Sequence, residues 1–327
     1  MSTPDLGPVL DGLHVVTLPL RTKFRGITER EIALVQGPRG WGEFAPFVEY
    51  GPQEASRWLA AALEAAWTGW PEPVRDVVAV NATVPAVPAE DVAEIIARYD
   101  GCTTAKIKVA EVGQREADDI NRVAAAREVM GSHGRIRIDA NGGWTLTQAR
   151  DMLARLAPFD LEYAEQPCAD VRDLARLRVE LALAGIDVPI AADESIRKAE
   201  DPLQVASMDA ADLIVVKVAP LGGVAHALEI VDACALPAVV SSAIDSSVGL
   251  RAGVALAAAL PELDHACGLG TAALLGGDIT AEPLLPVRGG LPVRDVVADP
   301  DLLAEHAASA ERLAWWRERV TAAYAHL

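Results

Sequence analysis

The feature that most constrains the fold is a series of five β-like runs, each of which ends at or close to an ionisable side chain. These runs occupy residues 103–109, 135–139, 161–165, 188–193 and 212–217. The stretches between them have about the length that a helical crossover between parallel strands requires. Since the parallel strands of a barrel bring their carboxyl ends to one mouth, we expect these charges to meet there.

The same strand–helix rhythm continues on both sides of this region and predicts eight strands, the number that closes a parallel barrel. We therefore expect a β/α barrel over residues 77–281. Residues 1–76 show antiparallel strand patterns followed by an amphipathic helix, which predicts a separate α+β unit. Residues 282–327 include a helical segment with an apolar face and are expected to pack on that unit or on the barrel flank.

Composition narrows the partners. The chain has 327 residues and a net charge of −18, which repels nucleic acids and anionic membranes, so neither is an expected partner. The N-terminus lacks a basic segment followed by an apolar run, and no apolar stretch is long enough to cross a bilayer. A cytoplasmic, soluble protein is expected. Its four cysteines form no Cys-x-x-Cys pair, so they indicate neither a disulfide framework nor a zinc site.

Three lysines are placed to act at the mouth. Lys106 and Lys108 lie on one face of predicted strand two, because side chains alternate along a strand. An edge strand with one wet face has the same pattern, but the recurrence of charges at later strand ends favours the barrel. Lys217 ends strand six, four positions around the ring, so it should face Lys108 across the mouth. Lys106 lies one layer deeper and is expected to tune its neighbour's pKa or orient a substrate oxygen.

Three acids end the strands between these lysines. Asp139, Glu165 and Asp193 follow strands three, four and five. Any one of them alone is more often a helix N-cap, but three neighbouring carboxylates raise one another's pKa unless a cation neutralises them. Oxygen ligands of this kind suit Mg²⁺ or Mn²⁺ better than zinc. The sequence therefore predicts a divalent metal site.

Lysines beside a divalent cation should have lowered pKa values, and a neutral lysine is a competent base. A metal can stabilise the anion formed when a proton leaves the carbon next to a carboxylate. The predicted reaction class is therefore proton abstraction α to a carboxylate, with Lys108 and Lys217 as the catalytic pair. Arg137, on the same face as Asp139, is expected to be a structural counter-charge beneath the carboxylates.

Together, five motifs resemble the enolase superfamily, in particular its muconate-lactonising branch with a Lys-x-Lys pair. They are Lys106-Ile107-Lys108, Asp139-Ala140-Asn141, Glu165-Gln166-Pro167, Asp193-Glu194-Ser195 and Lys217. The superfamily uses a Lys or His base together with Mg²⁺. The resemblance implies a modified TIM-type (β/α)7β barrel with an α+β capping domain, which is built from the N-terminal region and the C-terminal segment.

Further stretches resemble a dehydratase of this branch that acts in menaquinone biosynthesis. They are residues 24–26, 81–86, 241–250 and 268–271. The resemblance implies that 2-succinyl-6-hydroxy-2,4-cyclohexadiene-1-carboxylate loses water to give 2-succinylbenzoate. Lys108 would remove the proton and return it to the departing hydroxyl, while Lys217 would stabilise the planar anion.

Small residues at strands seven and eight leave space and N–H groups for a substrate carboxylate, although such residues also occur simply in tight turns. Two cations of a capping loop could close over the substrate. The predicted substrate-binding residues are Lys23, Arg25, Asn141, Ser241, Ser242, Gly268, Leu269 and Gly270.

Other activities remain open at this level. N-succinylamino acid racemases and dipeptide epimerases use the same two lysines as a two-base pair. A Schiff-base aldolase acting through Lys217, or an anion-binding barrel without catalysis, represents a different class. A mandelate-racemase-like enzyme would need a His base near strand seven, and residues 239–250 contain no histidine.

Overall fold

A computed structural model describes residues 3–24, 26–197 and 201–327. The chain begins with a short helix and a three-stranded antiparallel sheet that packs against a longer helix. These elements are α1 (Leu6–Asp11), β1 (Leu13–Phe24), β2 (Ile27–Gly37), β3 (Gly40–Phe44) and α2 (Pro52–Leu63). The last turn of α2 widens into a π-helical segment over Glu64–Thr68. This is the predicted α+β capping unit, called the cap below.

The barrel is formed by seven parallel strands that follow one another in chain order. They are β5 (Ala82–Val84), β6 (Thr104–Lys108), β7 (Arg135–Asp139), β8 (Leu161–Glu165), β9 (Ile190–Ala192), β10 (Leu213–Val216) and β11 (Ala238–Val240). Cys267 forms a parallel bridge with Val80, and Gly268 forms one with Ser241. This segment therefore lies between the two edges of the sheet, in the position of an eighth barrel strand. The predicted (β/α)7β architecture is confirmed.

The first predicted strand differs in detail, because it divides into two. β4 (Val77–Ala79) pairs antiparallel with β12 (Gly290–Pro292) outside the barrel, and only β5 joins the ring. Asn81 lies between the two pieces and is fully buried. The sequence predicts a single strand over residues 77–83, and the polar Asn81 within that run stands where the structure divides it.

Helices connect the strands on the outside of the barrel. They are α3 (Val92–Ile96), α4 (Glu116–Met130), α5 (Leu146–Leu156), α6 (Val171–Ala184), α7 (Glu194–Arg197), α8 (Gln204–Ser207), α9 (Val218–Leu221), α10 (Val224–Cys234) and α11 (Ser247–Ala259). Side chains cap several of their N-termini. Thr145 accepts a hydrogen bond from Gln148 N at the start of α5, and Asp170 and Ser246 cap α6 and α11. Within the described ranges, no helix is both long and apolar enough to cross a membrane.

The C-terminal segment returns to the cap through α12 (Pro300–Glu305) and α13 (Ala310–Tyr324). Trp316 is buried there with its ring 5.8 Å from Phe44 of β3, edge to face. Arg312 forms an ion pair with Glu31 of β2 at 2.5 Å. These contacts place the end of the chain on the outer side of the cap sheet.

Arg137 fills the lower interior of the barrel. It is fully buried, pairs with Glu162 at 2.5 Å and stacks 4.7 Å from the ring of Tyr163. The ion-pair partner of Arg137 is therefore Glu162. Among the described residues, no ion pair joins Arg137 to Asp139, Glu165 or Asp193. Arg137 thus does not take the expected role of counter-charge to these three acids.

Candidate active site

The register of the parallel strands brings the predicted charges to one level of the barrel. Lys108 is paired with Asp139 across β6 and β7, and Asp139 is paired with Glu165 across β7 and β8. Asp193 follows the end of β9 directly, and Lys217 follows the end of β10. Since each side chain ends its strand and points inward, all five meet at the carboxyl-terminal mouth.

Lys106 begins one layer lower and reaches up between two of the acids. Its Nζ lies 3.0 Å from Asp139 Oδ2 and 2.9 Å from each carboxylate oxygen of Glu165. Burial alone would lower the pKa of Lys106, but the two carboxylates outweigh it and raise the pKa well above its ordinary value. The two carboxylates thus favour the charged form of Lys106.

Lys108 lies higher and closer to the opening. Its Nζ is 2.6 Å from Asp139 Oδ2 and also donates to Asn141 Oδ1. Asn141 has a left-handed backbone (φ 46°), and its amide group donates to Glu194 Oε1 at 3.2 Å. Asn141 thus links the amine of Lys108 to Glu194, the first residue of α7.

Across the mouth, Lys217 Nζ lies 2.6 Å from Asp193 Oδ2. The other oxygen of Asp193 accepts a hydrogen bond from Arg197 Nε at 2.9 Å. Burial lowers the pKa of Lys217, although Asp193 opposes the effect. The lowered pKa predicted for a lysine of this site is thus found at Lys217.

The pKa values of the three acids shift in different directions. Burial would raise the pKa of Asp139, but Lys106 and Lys108 hold it well below its ordinary value. Burial would likewise raise the pKa of Asp193, but Arg197 and Lys217 lower it to about 2. Burial and the neighbouring Asp139 raise the pKa of Glu165 to about 7. The carboxylate cluster is therefore short of positive charge at Glu165.

The donor set fits a hard divalent cation. Asp139, Glu165 and Asp193 are at most 1% exposed, and they offer only carboxylate oxygens. Within the described part of the chain, no group of three or more His, Cys, Asp or Glu side chains is arranged so that it could hold a metal ion. At this mouth the ammonium groups of the three lysines lie against the carboxylates instead. The pKa of Glu165 is raised because these ammonium groups compensate its negative charge only in part.

The three lysines and Asp139 line a cavity of about 30 Å³. Of the predicted substrate-binding residues, Asn141, Ser241, Ser242 and Gly268 line it. Ser242 Oγ donates to Gly268 O at 2.9 Å and lies 2.7 Å from Thr271 Oγ1.

The remaining predicted substrate-binding residues lie elsewhere. Lys23 is exposed on β1, and Arg25 lies outside the described residues. Leu269 packs against α11, where a Cβ on Gly253 would meet it at 2.6 Å, and Gly270 starts a 3₁₀ turn against Asn81 and Tyr99. Neither of these two lines the cavity.

Five further residues line the cavity but were not predicted from the sequence. They are Phe24, Thr83, Ala243, Ile244 and Thr271. All five fall inside the stretches that resemble a dehydratase, so the signal was present, but a stretch of chain does not tell which of its side chains face inward.

Gln166 was also missed as a positioning residue. Its Oε1 accepts hydrogen bonds from Asp193 N at 2.9 Å and Ser195 N at 3.1 Å. Its Nε2 donates to Cys168 O and to Ser195 Oγ, and its backbone is left-handed (φ 41°). Gln166 therefore fixes where Asp193 leaves its strand.

Comparison with protein families agrees with this geometry. The model described as "Enolase C-terminal domain-like" matches residues 89–297, and the model described as "Enolase N-terminal domain-like" matches residues 15–66. The first match covers the barrel from α3 onward, after its first strand β5, and the second lies in the cap.

Curated relatives match almost the whole chain. An o-succinylbenzoate synthase of Thermobifida fusca is 58% identical over 308 residues, which is 94% of each chain. An o-succinylbenzoate synthase of Mycolicibacterium smegmatis is 57% identical over 323 residues, or 98% of each chain. One from Mycobacterium leprae is 54% identical and covers 99% of this chain and 95% of the relative.

Solved structures share the fold at lower identity. A muconate lactonizing enzyme from Pseudomonas fluorescens superposes with a TM-score of 0.77 at 21% identity, covering 90% of this chain and 98% of that one. The L-Ala-D/L-Glu epimerase from Bacillus subtilis gives a TM-score of 0.74 at 23% identity, covering 88% and 96%.

Proposed function

The chain belongs to the enolase superfamily, and on that premise we infer that it catalyses o-succinylbenzoate synthesis. The reaction is the dehydration of 2-succinyl-6-hydroxy-2,4-cyclohexadiene-1-carboxylate to 2-succinylbenzoate, and the chain is accordingly a lyase of menaquinone biosynthesis. The observation that carries the assignment of roles is the placement of Lys108 and Lys217 on opposite sides of one mouth, over three buried carboxylates.

Lys108 serves as the base. In its neutral form the amine takes the proton from the ring carbon that bears the carboxylate, and the electron pair of that bond passes into the carboxylate. When the bond to the ring hydroxyl breaks, Lys108 returns the same proton to the departing oxygen, so that water leaves and the ring becomes aromatic. A single base accounts for both transfers because both groups leave from the same face of the ring.

Lys217 acts from the other face as a charge. Its ammonium is fixed by Asp193 at 2.6 Å and buried, and positive charge held in a place with little water stabilises an anion strongly. Lys106 donates to both Asp139 and Glu165 and holds the two carboxyl groups in place.

Enolase-superfamily enzymes depend on a divalent metal ion, typically Mg²⁺. In this chain Asp139, Glu165 and Asp193 are the residues that would hold it, since they are the buried oxygen donors of the mouth. When bound, the cation supplies the positive charge that stabilises the substrate carboxylate as it gains electron density.

The substrate is a small dianion, and two parts of the cavity match its two ends. Phe24, Ala243 and Ile244 give an apolar wall for the ring, while Ser241, Ser242 and Gly268 give polar groups for the succinyl carboxylate. A contact between Lys23 or Arg25 of the cap and the substrate stays a prediction.

A substrate panel tests this assignment. The purified chain is assayed with the cyclohexadiene substrate, with N-succinylamino acids and with dipeptides, each with Mg²⁺ and with EDTA. We expect the dehydration to be much the fastest reaction and to stop in EDTA. Racemisation or epimerisation that outruns dehydration would contradict the assignment, and turnover that persists in EDTA would contradict the metal.

A further inference from the structure

The loop between β11 and α11 carries an unusual residue. Ile244 has a left-handed backbone (φ 63°), is only 2% exposed and lines the active-site cavity. A β-branched side chain crowds its own backbone in that region, so the conformation is strained. Strain of this kind persists only where the surroundings over-determine the backbone, and it concentrates at functional sites.

An arginine of the cap holds the carbonyl groups of this loop. Arg30 lies on β2 and is 3% exposed. Its Nε donates to Ile244 O at 3.3 Å and its Nη2 donates to Ala243 O at 3.4 Å, while the guanidinium also binds Ala45 O of the cap. One buried cation thus ties two successive carbonyls of the loop to the cap.

A glutamate of the cap holds the far end of the loop. Glu43 of β3 accepts hydrogen bonds from Ser246 N at 3.2 Å and Gly249 N at 3.1 Å, in the first turn of α11. The Ser246 hydroxyl also donates to it. Between the two anchors, Asp245 Oδ2 accepts from Ala243 N at 3.2 Å and closes the turn around Ile244.

We propose that Arg30 and Glu43 are positioning residues for the substrate ring, and that they do this by holding Ile244 in its left-handed conformation. The side chain of Ile244 is then presented to the cavity as the apolar surface on which the cyclohexadiene rests. This inference rests on the proposed function, since it concerns the ring of that substrate. It makes Ile244 a specificity residue that favours a flat ring over an extended acyl chain.

A double-mutant cycle tests the mechanism. Glycine adopts positive φ without strain, so Ile244→Gly keeps the loop conformation without help and loses only the apolar surface. In the native background Arg30→Met should lower kcat/KM for the ring substrate by about tenfold or more, mainly through KM, because the interaction energies of coupled neighbours lie in this range. In the Ile244→Gly background the same change should lower kcat/KM by about twofold or less, because glycine at position 244 adopts the left-handed backbone without the help of Arg30.

Arg75→Met is the matched control. Arg75 binds Leu260 O at 2.7 Å and Pro261 O at 3.2 Å beyond the other end of α11, far from the mouth. Its loss should lower the unfolding temperature but leave KM and the ratio of ring to N-succinylamino acid turnover unchanged. If Arg30→Met does not fold, Arg30→Lys replaces it, since one ammonium keeps the buried charge but cannot span both carbonyls as the guanidinium does.

An equal loss of kcat/KM from Arg30→Met in both backgrounds would overturn the inference. A loss confined to kcat would overturn it as well. A wild-type chain that fails to dehydrate the ring substrate would instead overturn the proposed function. Binding of the product 2-succinylbenzoate, measured by calorimetry over the same four variants, should show the same non-additivity without any turnover.

Discussion

The two halves of the barrel mouth are held in different ways. In one half, β6 to β9 carry Lys106, Lys108 and the three acids. Buried ion pairs join the two lysines to Asp139 and Glu165, and join Asp193 to Arg197 and to Lys217 at the end of β10. In the other half, the helices that follow β10 and β11 are held from the cap. Glu64 accepts hydrogen bonds from Val224 N at 2.6 Å and Ala225 N at 3.0 Å at the start of α10, and Glu43 does the same for α11.

The difference follows from what each half has to do. Buried charges are costly unless every one of them is compensated, so the acid half is a closed set in which each member depends on the others. The helix N-termini of the other half need only an acceptor for their N–H groups, and a carboxylate from another unit can supply it. The charged groups are thus held mainly by contacts within the barrel, whereas the N-termini of α10 and α11 are held from the cap.

The largest expected effect comes from removing either lysine that faces the substrate. Lys108→Ala and Lys217→Ala should each reduce kcat by about 10³-fold or more, since a positioned acid–base group contributes up to about 10⁴-fold. Steady-state dehydration assays measure this, and Mg²⁺ titration of the same variants should show largely retained metal binding. Appreciable turnover in either variant would contradict the roles given to the two lysines.

Metal binding is the next largest effect, and it belongs to the acid half alone. Asp193→Asn should weaken Mg²⁺ binding by about tenfold or more, because it removes a full negative charge from the donor set. The fold should suffer less, since the asparagine oxygen can still accept from Arg197. Titration calorimetry measures the affinity, with Asp209→Asn as the control, because Asp209 is an exposed residue that precedes β10 at the opposite end of the barrel. Equal affinity in the two variants would exclude Asp193 as a ligand.

The sequence indicates that the charges of the acid half lie together but does not indicate the cap contacts of the other half, and the reason is physical. A charge at the end of an apolar strand is visible in one local segment, and strand order then places Lys108, Asp139 and Lys217 around the ring. The contact between Glu43 and Ser246 joins residues 203 positions apart, and no local pattern records it. The positive φ of Ile244 is likewise imposed by tertiary contacts against the preference of its own side chain.

The partner of Arg137 shows the same limit within the barrel. Alternation along the strand correctly placed it on the inner face with Asp139. It could not show that Glu162 would turn toward it from the next strand, where the pairing shifts register after Ile136. A strand pattern predicts on which face of the sheet a side chain lies, but it does not predict which side chain of a neighbouring strand will pair with it.

A pH dependence is the third expected effect, and it tests the cap half. Burial, with Asp245 nearby, raises the pKa of Glu43 from 4.5 to about 8. Between these values the unfolded chain has lost the proton that the folded chain keeps, so the contribution of Glu43 to stability falls as pH rises from about 4.5 to about 8. The free energy of unfolding should fall by at most about 1.4 kcal/mol for each pH unit within this range. Glu43→Gln, which mimics the protonated form, should remove that pH dependence.

Chemical denaturation at several pH values between 5 and 8 measures this effect. The free energy of unfolding of Glu43→Gln relative to that of the native chain should rise with pH. Glu72→Gln is a control, since Glu72 is an exposed residue of the cap. A difference between Glu43→Gln and the native chain that does not change with pH would show that Glu43 is ionised in the folded state throughout.

The smallest expected effect concerns the closeness of the cap to α11. A Cβ added at Gly249 would lie 2.7 Å from Glu43 Cδ and 2.8 Å from Asp245 Cβ, so Gly249→Ala must push the carboxylate away from the helix. Overpacking of this size costs about 1–3 kcal/mol. We expect a lower unfolding temperature and a raised KM for the ring substrate, with Mg²⁺ affinity unchanged, because the acid half makes no contact with Glu43 that the substitution disturbs. Gly7→Ala, where a Cβ would meet nothing within 4 Å, is the control for an added methyl group. A loss of Mg²⁺ affinity in Gly249→Ala would mean that the two halves of the mouth are coupled and that the cap also sets the metal site.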